Sequence, residues 1–160
     1  MTFKAFDDVE GELNIRNKLS LYAIAIDKDD FNTLDQVFTQ DVLIDYKYPG
    51  GPTLNGLPAA KEYFTKALTG FNTQHTVSTI TVEKGPEGDA EAISTAYIVG
   101  WYLGQESLTG QAATIHGYYE DEWVKKGKDY LSRKRTLTIF VSPLELSHVH
   151  ALIIELQDAC

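Results

Sequence analysis

The sequence predicts an α+β fold in which one curved, mostly antiparallel sheet wraps around helices on one face. Helical periodicity dominates the first seventy residues, whereas four runs of β-forming residues joined by short turns fill residues 72–141. The chain has 160 residues, of which 43% are hydrophobic, so one domain of this length buries a core without metals or disulfides. We therefore expect a single domain over residues 1–160.

The N-terminal part contains three helical signals. The first helix is predicted over residues 8–27, because apolar side chains recur on one face of the helix at Ile15, Leu19, Tyr22 and Ile26. A second, short helix follows, and either Asp29 or Asp30 can cap its first amides. The third is predicted over residues 57–70, with Gly70 as its C-terminal cap.

The remaining elements are strands and one last helix. A first strand is predicted at residues 41–48, and the prolines and glycines of "PGGPTLNG" after it break regular structure. Four further strands are predicted as an antiparallel meander at residues 72–84, 90–104, 111–125 and 129–141. Residues 142–160 predict a C-terminal helix. A curved sheet with helices across its concave side leaves a conical space, which is a favoured site for small ligands.

The charge balance excludes several classes of partner. The formal net charge is −9, from 14 Lys and Arg against 23 Asp and Glu, which disfavours nucleic acid and anionic membranes. We interpret the basic cluster at residues 125–135 as a hairpin tip with solvated lysines. The only cysteine is Cys160, and neither a signal peptide nor a membrane span is visible, which predicts a cytoplasmic location.

Four motifs occur in a fixed order: "YAIAIDKDDF" (22–31), "FTQDVLIDY" (38–46), "NTQHTVS" (72–78) and "GYYEDEW" (117–123). Together they resemble the NTF2-like superfamily, and within it the SnoaL-like and scytalone dehydratase-like proteins of natural-product pathways, over residues 13–141. The resemblance implies an NTF2-like cone and a cofactor-free pocket that transfers protons on cyclic polyketide or terpenoid substrates. The superfamily also includes steroid isomerases, cyclases, epoxide hydrolases, dioxygenase subunits and pure binding modules. The fold alone therefore does not determine which of these functions the chain has.

The resemblance implies roles for four residues of the first two-thirds of the chain. Asp27 matches an aspartate that orients or charges a pocket histidine in scytalone dehydratases, although it is equally consistent with a helix-terminal cap. Tyr46 matches a tyrosine that polarises the substrate carbonyl, and His75 matches a pocket histidine suited to acid or base work. The alternatives are a core tyrosine and a satisfied core histidine. Tyr22 falls where steroid isomerases keep an oxyanion-binding tyrosine, and packing on the apolar stripe explains it as well.

The second strand of the predicted meander, residues 90–104, departs from the dehydratase pattern. That strand supplies a second catalytic histidine in scytalone dehydratases, whereas this chain reads "AYIVGWYLG", with Trp101 or Tyr102 in its place. Loss of that base argues against literal scytalone dehydration. A large aromatic side chain there favours stacking on a substrate ring, so both residues are predicted to bind substrate.

The following strand contains "TIHGYYEDEW" (114–123), with polar side chains on both faces. The resemblance places Glu120 where steroid isomerases carry a protonated aspartic acid. Period-two alternation then brings His116 and Tyr118 onto the same inward face, with Glu120 and His116 as catalytic groups and Tyr118 as a substrate contact. A shift of one residue would instead bring Asp121 and Tyr119 inward.

No metal site or cofactor is predicted, since His148 and His150 are two residues apart on a helix and face different directions. The leading hypothesis is a cofactor-independent isomerase or cyclase that acts on a polycyclic secondary metabolite. The alternatives are a dehydratase of the scytalone type and a non-catalytic module that binds a small ligand or a protein. We also expect a homodimer, because the predicted outer face of the sheet is apolar at Tyr97, Val99, Trp101 and Tyr119.

Overall fold

The structure is a computed structural model that describes residues 4–48, 50–86 and 91–140. It confirms an α+β architecture of helices packed against one mixed, mostly antiparallel sheet. The predicted C-terminal helix at residues 142–160, with His148 and His150, lies outside the described residues. No helix in the described ranges is long and apolar enough to cross a membrane.

Helix α1 runs over Val9–Asp27 and α2 over Leu57–Leu68, and a 3₁₀ helix at Phe31–Gln36 replaces the predicted second short helix. The six strands are β1 (Phe38–Lys47), β2 (Thr53–Asn55), β3 (Phe71–Lys84), β4 (Ala92–Gly104), β5 (Ala112–Lys126) and β6 (Asp129–Phe140). Strand β2 was not expected, because it is only three residues long and lies within the segment predicted to be irregular. It pairs with β1, so a short hairpin closes this edge of the sheet.

The strand order is β2-β1-β6-β5-β4-β3. Strands β3 to β6 pair consecutively and antiparallel, which confirms the predicted meander. Only the pairing of β1 with β6 is parallel among the described strands, and it brings the N-terminal part of the chain against the last described strand. Helix α1 packs against β3 and β6, and α2 packs against β1, so both helices lie across one face of the sheet.

Helix α1 begins where Asp8 accepts a hydrogen bond from the Gly11 amide (2.8 Å), which satisfies one of the free N–H groups of the first turn. Its predicted apolar face is confirmed, because the following side chains are all buried: Ile15, Leu19, Tyr22 and Ile26. Burial of such a stripe contributes about 1.5–3 kcal/mol per large side chain. The stripe therefore anchors α1, and with it the position of Asp27 at its C-terminal end.

The orientation predicted for β5 is wrong by one residue. The buried residues are the odd-numbered ones, Ile115, Gly117, Tyr119, Asp121 and Trp123, and the side chains of the even-numbered residues face the other way. His116 and Glu120 are exposed, and Tyr119 faces inward rather than outward. Asp121 can be buried on the inner face because Arg135 of β6 compensates its charge. The Arg135 Nε atom lies 2.9 Å from Asp121 Oδ1. An inward carboxylate with its partner on another strand leaves no local sequence signal.

Candidate functional site

A cavity of about 70 Å³ lies between the two helices and the sheet. Its walls are mostly apolar, and six of the nine tyrosines of the chain line it: Tyr22, Tyr46, Tyr48, Tyr63, Tyr102 and Tyr119. His75 is the one other titratable residue among the described residues that line it. The cavity therefore combines many neutral hydroxyl groups with a single histidine.

The histidine is held by the aspartate that ends α1. Asp27 Oδ1 lies 2.6 Å from His75 Nδ1, and Oδ2 accepts the backbone N–H of His75 at 2.8 Å. Thr73 Oγ1 also donates to Oδ1 at 2.9 Å. Because an ionised carboxylate only accepts hydrogen bonds, Nδ1 carries the proton, and the lone pair of the neutral ring is on Nε2. Asp27 thereby orients the ring and selects its tautomer.

The surroundings of Asp27 keep it ionised. Partial burial by itself raises the pKa of this carboxyl group, but the hydrogen bonds from the His75 ring, the His75 amide and Thr73 outweigh it. The net effect lowers the pKa of Asp27 below its usual value. A fixed negative charge next to a ring that is 6% exposed is the arrangement that stabilises an imidazolium when the ring takes up a proton.

Tyr102 occupies the other side of the ring, with its hydroxyl 3.1 Å from His75 Nε2. Burial, and then the neighbouring tyrosines and the charge of Asp27, raise the pKa of Tyr102, so it is a neutral phenol that donates to Nε2. Of the two residues predicted for this position, the structure places Tyr102 in the cavity. Trp101 is 39% exposed on the opposite face, so its predicted substrate contact is wrong.

The space for the ring comes from Gly100, which pairs with His75 across β3 and β4. A Cβ atom at Gly100 would lie 3.2 Å from His75 Nε2 and 3.1 Å from the Tyr102 ring. These distances are shorter than ordinary van der Waals contact, so a larger residue would push both side chains. Glycine at this position therefore allows the histidine and the tyrosine to meet.

Tyr46 lines the cavity as predicted, and two further tyrosines stand beside it. Its ring centroid lies 5.5 Å from that of Tyr63 and 6.1 Å from that of Tyr48. Burial raises the pKa of all three phenols, which keeps them neutral donors. Tyr48 and Tyr63 were not predicted as site residues, although the sequence contains a signal for each. Tyr48 follows Tyr46 at the spacing of one strand face, and Tyr63 precedes the inward Ala67 by one helical turn.

Tyr22 and Tyr119 form the wall of the cavity next to the buried ion pair. Their rings meet edge to face, with centroids 5.6 Å apart, and the Arg135 guanidinium carbon lies 4.2 Å from each centroid. Arg135 in turn binds Asp121 through two nitrogens, at 2.9 and 3.0 Å. Asp121 and Tyr119 are the residues that the one-residue shift of β5 would bring inward, and they are the inward pair in the structure.

Three of the predicted site residues on β5 do not line the cavity. Glu120, His116 and Tyr118 lie on the outer face of the sheet, where the Tyr118 ring contacts Tyr97 and Phe140. Their predicted inward orientation is wrong because the alternation along β5 is shifted by one residue relative to the sheet. The structure thus brings together Asp27, His75, Tyr46, Tyr22 and Tyr102, and it separates them from the three β5 candidates.

Metal-binding side chains are not gathered anywhere in the described ranges, since no three His, Cys, Asp or Glu side chains converge there. The cavity itself offers one imidazole and phenol oxygens, and neutral phenols are poor ligands for a divalent cation. The groups present suit proton transfer and hydrogen bonding.

Comparison with known proteins shows the family of this chain and the solved structures that it resembles. The sequence model of the SnoaL-like domain matches residues 7–136, which is most of the chain. No curated protein matches this chain in sequence.

One similar solved structure is a candidate aromatic ring hydroxylase from Novosphingobium aromaticivorans, which is 28% identical in sequence. The match covers 86% of this chain and 94% of that chain, with a TM-score of 0.73. A candidate scytalone dehydratase from the same organism is 20% identical, with 81% and 84% covered and a TM-score of 0.68. The type 2 hexachlorocyclohexane dehydrochlorinase LinA is 16% identical, with 82% and 93% covered and a TM-score of 0.67. At these identities the last two show a shared fold.

Proposed function

Because this chain belongs to the SnoaL-like domain family of the NTF2-like superfamily, we propose that it is a cofactor-independent isomerase or cyclase. Its substrate is a polycyclic ketone or phenol of polyketide or terpenoid origin. One observation carries the proposal: a carboxylate-oriented histidine presents Nε2 to a cavity lined by six tyrosines. A base and several hydrogen-bond donors around one apolar space are the minimum that enolisation of a ring ketone requires.

In the proposed reaction, His75 Nε2 removes a proton from a carbon next to a ring carbonyl. Asp27 stabilises the resulting imidazolium, while a phenol of the cavity donates to the developing enolate oxygen. Return of the proton to the far carbon of a conjugated dienolate, which forms from a β,γ-unsaturated ketone, completes an isomerisation. Attack of the enolate carbon on a second carbonyl of the same substrate forms the new ring and an alkoxide, and the His75 imidazolium protonates this alkoxide to complete a cyclisation. Tyr102 leaves Nε2 when substrate enters, because both compete for the same lone pair.

The space available supports a substrate that is only partly enclosed. The cavity of about 70 Å³ is smaller than the roughly 150 Å³ cavity that admits benzene in another protein, so entry of a ring displaces side chains of the wall. Leu68 and Phe71 separate it from an open groove of about 660 Å³, which they also line. We place the reacting ring among the tyrosines and the remaining rings in this groove.

Dehydration is the second candidate reaction, and the resemblance in fold to a candidate scytalone dehydratase favours it. His75 would again remove the proton next to a carbonyl, and a phenol would protonate the departing hydroxyl group. The phenol Tyr102 stands where scytalone dehydratases carry a second histidine, so this chain would rely on a weaker acid. Isomerisation and cyclisation need no such leaving group, which is why we rank them first.

Proton exchange tests the proposal without knowledge of the natural substrate. The protein is incubated in D₂O with a panel of polycyclic ketones and β-hydroxy ketones, and deuterium uptake and loss of water are followed by mass spectrometry. We expect deuterium exchange to be faster with wild-type protein than without protein. The exchange rate should fall by about 10²–10⁴-fold in His75→Gln, which is the usual contribution of a general base. Glu120→Gln, on the outer face, serves as the control and keeps the wild-type rate.

Two outcomes would count against catalysis. Equal exchange rates in wild type and His75→Gln would remove the histidine from the mechanism. Binding of ketones, detected by quenching of tyrosine fluorescence, without any exchange across the panel would favour the non-catalytic binding module instead.

We also propose a homodimer that forms through an outer aromatic patch, which consists of Tyr97, Val99, Trp101, Tyr118 and Phe140. Phe140 is 52% exposed, and the rings of Tyr97, Tyr118 and Phe140 contact one another on the outer face of the sheet. A contiguous apolar surface of this kind favours association, and a two-fold dimer is the simplest closed form. Analytical ultracentrifugation tests this proposal: wild type should sediment as a dimer, and Phe140→Ser should shift toward the monomer. A monomeric wild type would contradict it.

A further inference from the structure

Three hydrogen bonds reach the Asp27 carboxylate, and only two of them come from His75. The third comes from Thr73, whose Oγ1 donates to Asp27 Oδ1 at 2.9 Å. The same oxygen lies 2.6 Å from His75 Nδ1. A neutral hydroxyl group and the imidazole ring therefore share one carboxylate oxygen, and the proposed reaction does not yet use the hydroxyl group.

Strand β3 places Thr73 next to the histidine. Successive side chains of a strand point to opposite faces, so Thr73 and His75 share the inner face while Gln74 points outward and is exposed. Across the sheet, Thr73 pairs with Tyr102 and His75 pairs with Gly100 on β4. Threonine is β-branched and has few χ1 rotamers, which helps to keep its hydroxyl group on the carboxylate. Thr73 does not line the cavity, so its route to the ring is through Asp27.

Asp27 is the charged neighbour of the ring. Among the described residues, those that line the cavity or hydrogen-bond to His75 include no other ionised side chain, because Tyr102 is a neutral phenol. Burial raises the pKa of the other phenols that line the cavity, which keeps them neutral: Tyr22, Tyr46, Tyr48, Tyr63 and Tyr119. A change in the charge density on Asp27 Oδ1 therefore acts directly on the ring.

We propose that Thr73 is a positioning residue that limits the basicity of His75 through Asp27, so that a larger fraction of the ring is unprotonated at a given pH. A hydrogen bond to an ionised carboxylate stabilises its negative charge, and a carboxylate stabilised in this way attracts an imidazolium less strongly. Without the hydroxyl group, the undiminished charge of Oδ1 acts on Nδ1, and the ring keeps its proton to higher pH. This inference rests on the proposed function, because a general base must be unprotonated before it removes a proton.

The test follows the titration of the His75 ring by NMR in protein that contains isotopically labelled histidine, without any substrate. The chain has four histidines, and the signal that is missing in His75→Gln identifies the ring. Thr73→Val removes the hydroxyl group and keeps the branched shape of the side chain. We expect the titration midpoint of His75 in this variant to lie about half to one pH unit above that of wild type, which is a roughly three- to tenfold change in proton affinity.

Two matched variants control for shape and for the change of residue type. Thr73→Ser retains a hydroxyl group at the same place and should keep the wild-type midpoint. Thr76→Val makes the same substitution on the outer face of β3, where Thr76 is exposed and accepts a hydrogen bond from Gln74 at 3.0 Å. It should also keep the wild-type midpoint. Thermal melting by circular dichroism confirms that each variant is folded.

A double-mutant cycle tests whether Thr73 acts through the carboxylate. In Asp27→Asn the ring has lost its charged partner, so its midpoint should lie below that of wild type. Addition of Thr73→Val to Asp27→Asn should then cause no further shift, because the charge that the hydroxyl group modulates is gone. A shift of equal size in both backgrounds would mean that Thr73 acts on the ring by another route, and it would overturn the proposal.

The direction of the shift separates this role from a merely structural one. If Thr73 only held the carboxylate in place, its removal would let Asp27 turn away from the ring, and the midpoint would fall as in Asp27→Asn. A lower midpoint in Thr73→Val, or one equal to that of wild type, therefore shows that the proposal is wrong.

Proton exchange measures the consequence for the reaction. In the D₂O assay, the acid limb of the pH profile of Thr73→Val should move to higher pH by the same amount as the titration midpoint, while exchange at alkaline pH is retained. An acid limb that stays in place although the midpoint moves would contradict a role in catalysis. Failure of the acid/base function has a different signature, because exchange would then be equal in wild type and His75→Gln while the midpoint of Thr73→Val is still shifted.

Discussion

The inner and outer faces of β5 carry similar residues in very different surroundings. Asp121, on the inner face, is 2% exposed and binds Arg135 through both oxygens, while Glu120, its neighbour on the outer face, is exposed to water. Tyr119 lines the cavity, whereas Tyr118 belongs to the outer aromatic patch. Residue type therefore does not distinguish a site from a surface in this strand; desolvation and the partner across the sheet do.

The largest effect is expected from Asp121→Ala. It leaves the Arg135 guanidinium buried without a counter-charge, and breaking one side of a buried pair costs about 3–5 kcal/mol of unfolding free energy. Urea unfolding followed by circular dichroism measures this loss. A change below about 1 kcal/mol would mean that water reaches Arg135 and that the inner face is not a desolvated environment.

The next effect is expected from Asp27→Asn, which removes a charged acceptor of three hydrogen bonds and costs about 1.5–3 kcal/mol at neutral pH. The pKa of Asp27 is lowered in the folded protein, so its contribution is present above the unfolded value of about 3.9 and is lost as pH falls through the folded pKa. Wild type and variant should therefore differ most in stability at pH 7, and the difference should shrink as pH falls through the folded pKa of Asp27. A difference that does not shrink on acidification would contradict the hydrogen bonds assigned to the Asp27 carboxylate.

A moderate effect is expected from Gly117→Ala, since the inner face has no room for a side chain here. An added Cβ atom would overlap the backbone oxygen of Thr138 on β6, which cannot move without separating the two strands. Overpacking of this kind costs about 1–3 kcal/mol. Thermal melting measures this cost, and Gly127→Ala, at a glycine with open space and a positive φ of 67°, reports separately what backbone strain costs without steric overlap. A melting temperature of Gly117→Ala equal to that of wild type would contradict the overlap.

The smallest effect is expected on the outer face, from Glu120→Ala. Its side chain is exposed, and surface substitutions of this kind usually change the unfolding free energy by less than about 0.5 kcal/mol. Chemical denaturation in the same buffer as for Asp121→Ala makes the comparison direct. A loss as large as that of Asp121→Ala would restore the originally predicted orientation of β5.

Much of the fold follows from local sequence pattern. The apolar stripe of α1 and the four meander strands were predicted from periodicity, because helical and extended backbones repeat side-chain directions every 3.6 and two residues. Motifs with family-like spacing predicted Tyr46 and His75, which line the cavity, and Asp27, which contacts His75. Tyr48, which follows β1, and Tyr63 of α2 were missed, since local spacing gives only the face of each residue and their contact with Tyr46 forms when the helix packs on the sheet.

The sequence by itself determined which residues of β5 share a face, because alternation is a property of the extended backbone. It did not determine which face packs inward, and most residues of the candidate site depend on that orientation. Arg135 on β6 stabilises the observed orientation, since its positive charge compensates the burial of Asp121 on the neighbouring strand. Such compensation depends on distances between strands, and only the tertiary structure sets those distances.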